Sequence, residues 1–566
     1  MKYRELSKFQ IKAEIALMLQ KLTSLEEMSR DQQIKYMTKL ASIKDNDSVV
    51  EILAKELGRA DYKKGQVISL FLQELGSLDQ LSETLWGYIK SPKSSDELRD
   101  LSGIILKNLG DTTDPEEFLN YLENPKAIVD KETKKLLDIA SVNPEAKIDF
   151  LDFLFSLPDE EQMNLIRSLQ EDYSSESLVN VVIPAFESRL ISHMDEFLIK
   201  IIGETKSPMG VRVLKDFLEY TQDEKLAKKA QISINTLRLA GIDPGEDGSP
   251  EKKEQITEKS NIYEFHTNIP DGLGNQAIIA SRERINGDIL VMNVVVNDVH
   301  GIIDCFGFYG ISKNDFRRIV ARFQEKSTGI PVTAEYCKYF LDRAEKINKR
   351  NNMPIPYEYL AWKPLLSDVD PITYEEMEDQ ANKWVDEKFI KDGHLMYKFP
   401  DLNHWFFEEE DHSAIKYSFE RIVKGLVEKK DYYKENKPGL QDFLESELDN
   451  LMGEIYTEEV RQMYKYRLQN IAYLLNIEDL EHFRNISATL AWLIDPKNNF
   501  DITDKDFFRE IIRKTIMEGL LRYQYNLNNE EKQSSHPWNL RKNKEEELDL
   551  KQKFEQQSIE EIIEIL

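Results

Sequence analysis

The stretch Ile285–Phe323, INGDILVMNVVVNDVHGIIDCFGFYGISKNDFRRIVARF, decides what kind of fold this chain can adopt. Within it, Ile289–Val296 is an almost unbroken apolar run rich in β-branched residues, interrupted only by Asn293. Such a run reads as a strand buried on both faces. Asn286-Gly287 separates it from a second extended run, Gln276–Ile285. An Asn-Gly pair between apolar runs signals a hairpin, because a type I′ turn needs positive φ at both central residues. Pro270-Asp271-Gly272 offers a further turn after Ile262–Thr267, so three antiparallel strands are expected. A helix follows. Ser312 and Asp315 stand in the relation of a capping box, and Phe316, Ile319, Val320 and Phe323 recur at the spacing of one buried helical face.

Working outward, residues 1–242 read as helix after helix, punctuated by short polar turns such as Lys44-Asp45-Asn46-Asp47. Three segments resemble one another: GQVISLFLQELG (Gly65–Gly76), LRDLSGIILKNLG (Leu98–Gly110) and LAKKAQISINTLRLAG (Leu226–Gly241). Each is amphipathic, leucine-rich at its end and closed by glycine. The closing Gly76 and Gly110 lie 34 positions apart, as in a helix-pair repeat. These helices resemble the second helices of HEAT or armadillo-like repeats, best in Leu226–Gly241. Several units lack the proline and Asp/Arg signposts of those families, and no constant period emerges. The resemblance covers the first 242 residues and implies an α-solenoid whose surface holds a protein partner. An irregular helical bundle is the competing reading.

Composition shifts at residues 243–260, where Gly, Pro and charge mark a linker. An α+β module is expected over 261–404, with a helix over Val332–Lys349. A helical domain follows over 405–527, with helices at Ala414–Lys429, Leu440–Leu451, Glu458–Leu475, Leu480–Ile494 and Asp506–Tyr525. A charged tail occupies 528–566. The expected fold class is therefore mainly α with a small α+β module: an α-solenoid-like N-terminal part, a central antiparallel β-hairpin plus helix, and a C-terminal helical domain.

Charge and cysteine content exclude several functions. A net charge of −28 over 566 residues argues against a general nucleic-acid or anionic-membrane surface. Cys305 and Cys337 are the only cysteines, so no disulfide framework and no four-cysteine zinc site is expected. The N-terminal MKYRELSKFQ has no apolar signal region, and no run reaches the roughly 18–20 apolar residues a membrane span needs. The expected compartment is the cytoplasm.

Candidate chemistry centres on Asp298, His300 and Asp304. If the strand continued, Asp298 and His300 would project from one face. Two carboxylates and an imidazole suit a divalent metal or a base with its orienting partner, and His300 could lower the Cys305 thiol to a nucleophile. The plainer account makes Asn297, Asp298 and Gly301 ordinary turn residues at a strand end, and Cys305 a small core residue before Phe306. Arg317, Arg318 and Arg322, with Lys313, form the best candidate anion contact, against a solvated helix face. Asp271–Asn275 suggests a phosphate loop but lacks its Lys-Ser/Thr, so it reads as a turn. His404 and His412 flank an acidic run too widely spaced on a helix to share one metal. The first expectation is a non-catalytic helical-repeat scaffold for a protein partner, with no cofactor. The alternative is a metal-assisted hydrolase centred near Asp298, His300 and Asp304.

Overall fold

The computed structural model describes residues 4–24, 29–172, 175–204, 208–242, 260–403, 405–407, 413–503 and 505–530. The expected linker, except Ser260, lies outside the described residues, as do His404, the acidic run with His412, and the tail from 531 onward.

The protein is mainly α with one small sheet. Five antiparallel strands take the order β4-β3-β2-β1-β5. They are β1 Ser260–Thr267, β2 Asn275–Arg284, β3 Ile289–Asn297, β4 Gly301–Ile311 and β5 Ile330–Pro331. β3 is buried on both faces, as its composition requires. Leu290, Met292, Val294 and Val296 pack with Phe340, Leu341 and Ala344 of helix Ala334–Arg350. Ile289 and Val291 pack against Phe316 and Val320 of helix Lys313–Lys326.

The details of the turns depart from expectation. Four residues, Ile285–Asp288, join β2 to β3, and the Arg284 amide donates to the Asp288 carbonyl at 2.8 Å. Only Gly287 takes positive φ (+90°), so the type I′ geometry is replaced by one left-handed glycine. Ser312 caps its helix by accepting from the Asp315 amide at 3.1 Å, but the Asp315 carboxylate binds the Ser312 hydroxyl and Arg318. The largest difference is β4. The sequence reading places three strands and then the helix, yet the stretch between them is a further strand of eleven residues. Gly307 is needed there because a Cβ would overlap the Trp362 ring packed beneath the strand.

Helices Ser413–Glu428, Lys437–Ile455, Glu458–Ile477, Glu481–Ile494 and Asp506–Glu530 follow the apolar spacing of the sequence. The composition suggests a boundary at 404/405, but the buried apolar side chains form one continuous cluster from Phe265 to Leu520. Leu402 on one side of the suggested boundary and Trp405 and Phe407 on the other are all buried in it.

From Lys8 to Leu239, each helix makes its principal contacts with helices one to three places along the chain. Two apolar clusters result, one between Ile11 and Leu106 and one between Leu137 and Leu237. This arm meets the sheet module through a polar seam. Glu345 accepts from Lys349 at 2.8 Å, Lys363 at 2.9 Å and the Tyr359 hydroxyl at 3.3 Å. From the arm side come Asp216, 3.7 Å from Lys349, and the Ser188 carbonyl, which accepts the Ile355 amide at 3.2 Å. The Tyr357 hydroxyl donates to Asp152 and its ring meets Phe155 edge-on at 5.0 Å. Farther along, the Arg30 amide donates to both Asp288 oxygens at 2.9 and 3.0 Å.

Burial alone would raise the Glu345 carboxyl, but the Lys363 and Lys349 ammoniums outweigh it and hold it to about 2. A depressed carboxyl contributes stability that is present above its unfolded value and lost as pH falls toward its folded one. Thermal melts should therefore show wild type losing stability more steeply than Glu345→Gln between about pH 4.5 and pH 2. Parallel slopes would remove Glu345 from the seam's energetics. Glu187 has the opposite sign. Burial, opposed by Lys363 and reinforced by Glu345, pushes it up, so Glu187→Gln should stabilise at neutral pH. Separately, Gly307→Ala should cost about 1–3 kcal/mol in urea unfolding, because the Trp362 ring must be displaced.

Candidate functional site

The turn after β3 is built by two outside residues. β3 ends at Asn297, and Asn297 Oδ1 accepts the Val299 and His300 amides at 2.8 and 2.9 Å. Strand alternation therefore does not carry Asp298 and His300 onto one face, because residues 298–300 are a turn. Gly301 follows at φ +80°, where a side chain would run into Asn348. Asn348, 1% exposed, accepts the Ile302 amide at 2.6 Å and donates to the Pro354 carbonyl at 3.0 Å.

Asp298 faces inward, toward Arg467 of helix Glu458–Ile477. The guanidinium donates to both carboxylate oxygens, at 2.6 and 2.8 Å, and to the Gly272 carbonyl at 2.6 Å. The Arg467 side chain is 4% exposed and that of Asp298 10%. Burial lowers the tendency of Arg467 to hold its proton, but Asp298 reverses this and the net shift is upward. Gly274, at φ +85°, lets the β1–β2 loop pass over this pair, where a Cβ would strike both partners. The loop is tied by Asp271, which accepts the Leu273 and Asn275 amides at 3.0 and 2.8 Å. Asp271–Asn275 is thus a turn, with Asp271 occupying amides that a phosphate would need.

Beside the pair opens a cleft of about 1200 Å³, lined among others by Leu273, Val299, His300, Glu458, Glu459 and Arg467. It offers a solute one exposed imidazole and two exposed carboxylates at a helix start. Asp304 sits apart from it on β4, opposite Val295 and exposed. Cys305 is 3% exposed in the core, and burial, then Glu358 and Asp304, push its thiol well up, which opposes thiolate formation. Among the described residues no group of three or more His, Cys, Asp or Glu side chains is arranged to hold a metal ion. Arg317, Arg318 and Arg322 are exposed on helix Lys313–Lys326, with Arg318 paired to Asp315 at 3.1 Å.

The residues that organise this region, Arg467 and Asn348, escape the sequence reading. Arg467 lies in a run with Lys465, Gln469 and Asn470, all buried, on a helix with apolar residues all round. Lys465 pairs with Glu378 at 2.6 Å and Asp495 at 2.7 Å, while Asn470 accepts the Tyr336 hydroxyl at 2.7 Å. Four polar residues inside an apolar helix were the available signal, since buried polar groups require partners.

The chain matches no protein-family model, no curated protein and no solved structure. Among the described residues no helix is long and apolar enough to cross a membrane.

Asp298→Ala should cost about 3–5 kcal/mol in denaturant unfolding, because it leaves the buried Arg467 charge unpaired. His300→Ala, at an exposed turn position, should shift stability by less than about 0.5 kcal/mol. A stoichiometric metal in purified protein by elemental mass spectrometry, lost in His300→Ala, would overturn the structural assignment of this turn.

Proposed function

We propose that this protein is a non-catalytic scaffold of the cytoplasm, which holds a protein partner on the exposed faces of a HEAT-like helical arm. The observation carrying this reading is the near-neighbour packing of the helices between Lys8 and Leu239. Such a quasi-one-dimensional stack presents a long surface, and proteins built this way use it to bind other proteins. Large apolar side chains left exposed on that arm support it. Ile232 and Leu239, 64% and 90% exposed, share one face of helix Glu224–Leu239, being two turns apart. Leu136 and Ile139, 63% and 37% exposed, share a face of helix Pro125–Val142. The engagement of Asp298 by Arg467 favours this reading over hydrolysis, because one of the three candidate groups is already neutralised within the fold.

The test starts with affinity capture from source-cell extract, then purification of the captured polypeptide and calorimetric Kd measurement. Wild type is compared with the Ile232→Lys/Leu239→Lys and Leu136→Lys/Ile139→Lys pairs. At least one pair should weaken binding by about tenfold, or about 1.4 kcal/mol, with an unchanged thermal melt. Equal Kd values for all three proteins would remove the arm surface from the function.

A further inference from the structure

The first half of the helical arm is built as a body of its own. Its buried apolar side chains, from Ile11 to Leu106, close on one another, and the partly buried ones packed against them all lie between Leu6 and Tyr121. Among the described residues, none of these side chains belongs to another cluster. The second half of the arm differs. Ile148 packs against the core of the sheet module, and Tyr357 of that module packs against the core of the second half.

The bonds that join the first half to its neighbours are polar. Lys131 and Lys135 of helix Pro125–Val142 lie over the Tyr62 ring, 4.4 and 5.3 Å from its centroid. Lys135 also donates to the Tyr62 hydroxyl at 3.1 Å, and Lys131 stands 3.4 Å from Glu97. The chain passes from one half to the other through Leu122–Asn124, a non-helical step before Pro125 opens the next helix. The Glu123 and Asn124 amides donate to the Asp96 carboxylate at 2.9 Å each, which keeps this step on the side of the first half.

Towards the sheet, an amide meets a carboxylate. Arg30 is the first residue of helix Arg30–Ala41, directly after the Ser29 cap, and its N–H donates to both Asp288 oxygens at 2.9 and 3.0 Å. The unbonded amides and the dipole of a helix N-terminus both favour a carboxylate there. Asp288 is steadied by Asn286, whose side-chain nitrogen donates to it at 3.2 Å. Parting an apolar interface exposes its whole area to water, whereas polar contacts exchange for water at small net cost. A body with a complete core and polar attachments can therefore move without unfolding.

We propose that residues 4–124 form a hinged lobe, latched to the β2–β3 turn by the Asp288 carboxylate on the N-terminus of helix Arg30–Ala41. Latched, the arm is tied to the sheet module at both ends, through Arg30 at one and through Asp216 and Phe155 at the other. Unlatched, the lobe turns as one body about Leu122–Asn124 and uncovers the β2–β3 turn, while the second half stays on the module. The latch is electrostatic, so salt weakens it. This movement does not depend on which face of the arm holds a partner.

The test follows the position of the lobe in the full chain by pulsed electron spin resonance. Nitroxides are attached at the exposed positions Glu83→Cys in the lobe and Glu325→Cys on helix Lys313–Lys326. Cys305 and Cys337 are buried and stay unlabelled. A second pair, Gln20→Cys and Glu83→Cys, reports on geometry inside the lobe. The decisive variant is Arg30→Pro. It removes the donating N–H at the first helical position, where proline fits, and Ser29 already has the extended backbone (φ −70°, ψ 156°) that a following proline requires. Arg30→Pro should raise the ratio of long to short Glu83–Glu325 distances by about tenfold or more. The Gln20–Glu83 distance and the helical circular dichroism should stay unchanged. Asp288→Lys, which sets a cation against the helix N-terminus, and high salt on the wild type should shift the ratio in the same direction. An unchanged Glu83–Glu325 distance in Arg30→Pro overturns the latch. A broadened Gln20–Glu83 distance or a loss of helical signal in that variant overturns the lobe as one body. Should Asp288→Lys fail to fold, Arg30→Pro still decides.

Discussion

The pair between Asp298 and Arg467 is the constraint on which the central architecture turns. It joins the end of the sheet to helix Glu458–Ile477, across a sequence separation of 169 residues. An arginine 4% exposed keeps its charge, which is costly to bury unpaired, and the bidentate carboxylate with the Gly272 carbonyl offsets that cost. The pair therefore constrains three segments together: the loop before β2, the turn after β3, and the buried helix. Asn348 performs the neighbouring task at Gly301 and Ile302, so the β3–β4 turn is held from two sides by polar side chains of separate helices.

This arrangement explains why the fold was more legible than the site. β3 reads directly because burial on both faces demands an apolar, β-branched run. The helices after it read directly because each buries one stripe. β4 did not, because the requirement for glycine at 307 comes from Trp362, 55 residues later, and at 301 from Asn348. Local propensity cannot register a demand set by a distant ring. The same applies to Asp298. In sequence it is one of several polar residues at a strand end, and its commitment depends on a helix that no local pattern brings near.

The suggested chemistry at Asp298, His300 and Asp304 assumed a continuing strand. The chain instead turns at Asn297, which faces Asp298 inward, leaves His300 at the rim of the cleft and places Asp304 on the next strand. Residues adjacent in sequence are thus assigned to separate environments by one turn. The arm presents the reverse situation: its contacts are local in sequence, so its helices could be read one by one, while the identity of its surface as a binding face depends on which side chains remain uncovered.

The continuous apolar cluster from Phe265 to Leu520 has a consequence for how this chain can be divided. A break at 404/405 would cut a polypeptide whose two sides share the same interior, since Tyr336 stacks on Tyr473 at a ring separation of 5.5 Å and Phe399 meets Phe483 edge-on at 5.3 Å. Neither piece could bury its share of this cluster alone. Genetic fusions and truncations of this protein are best placed elsewhere in the chain.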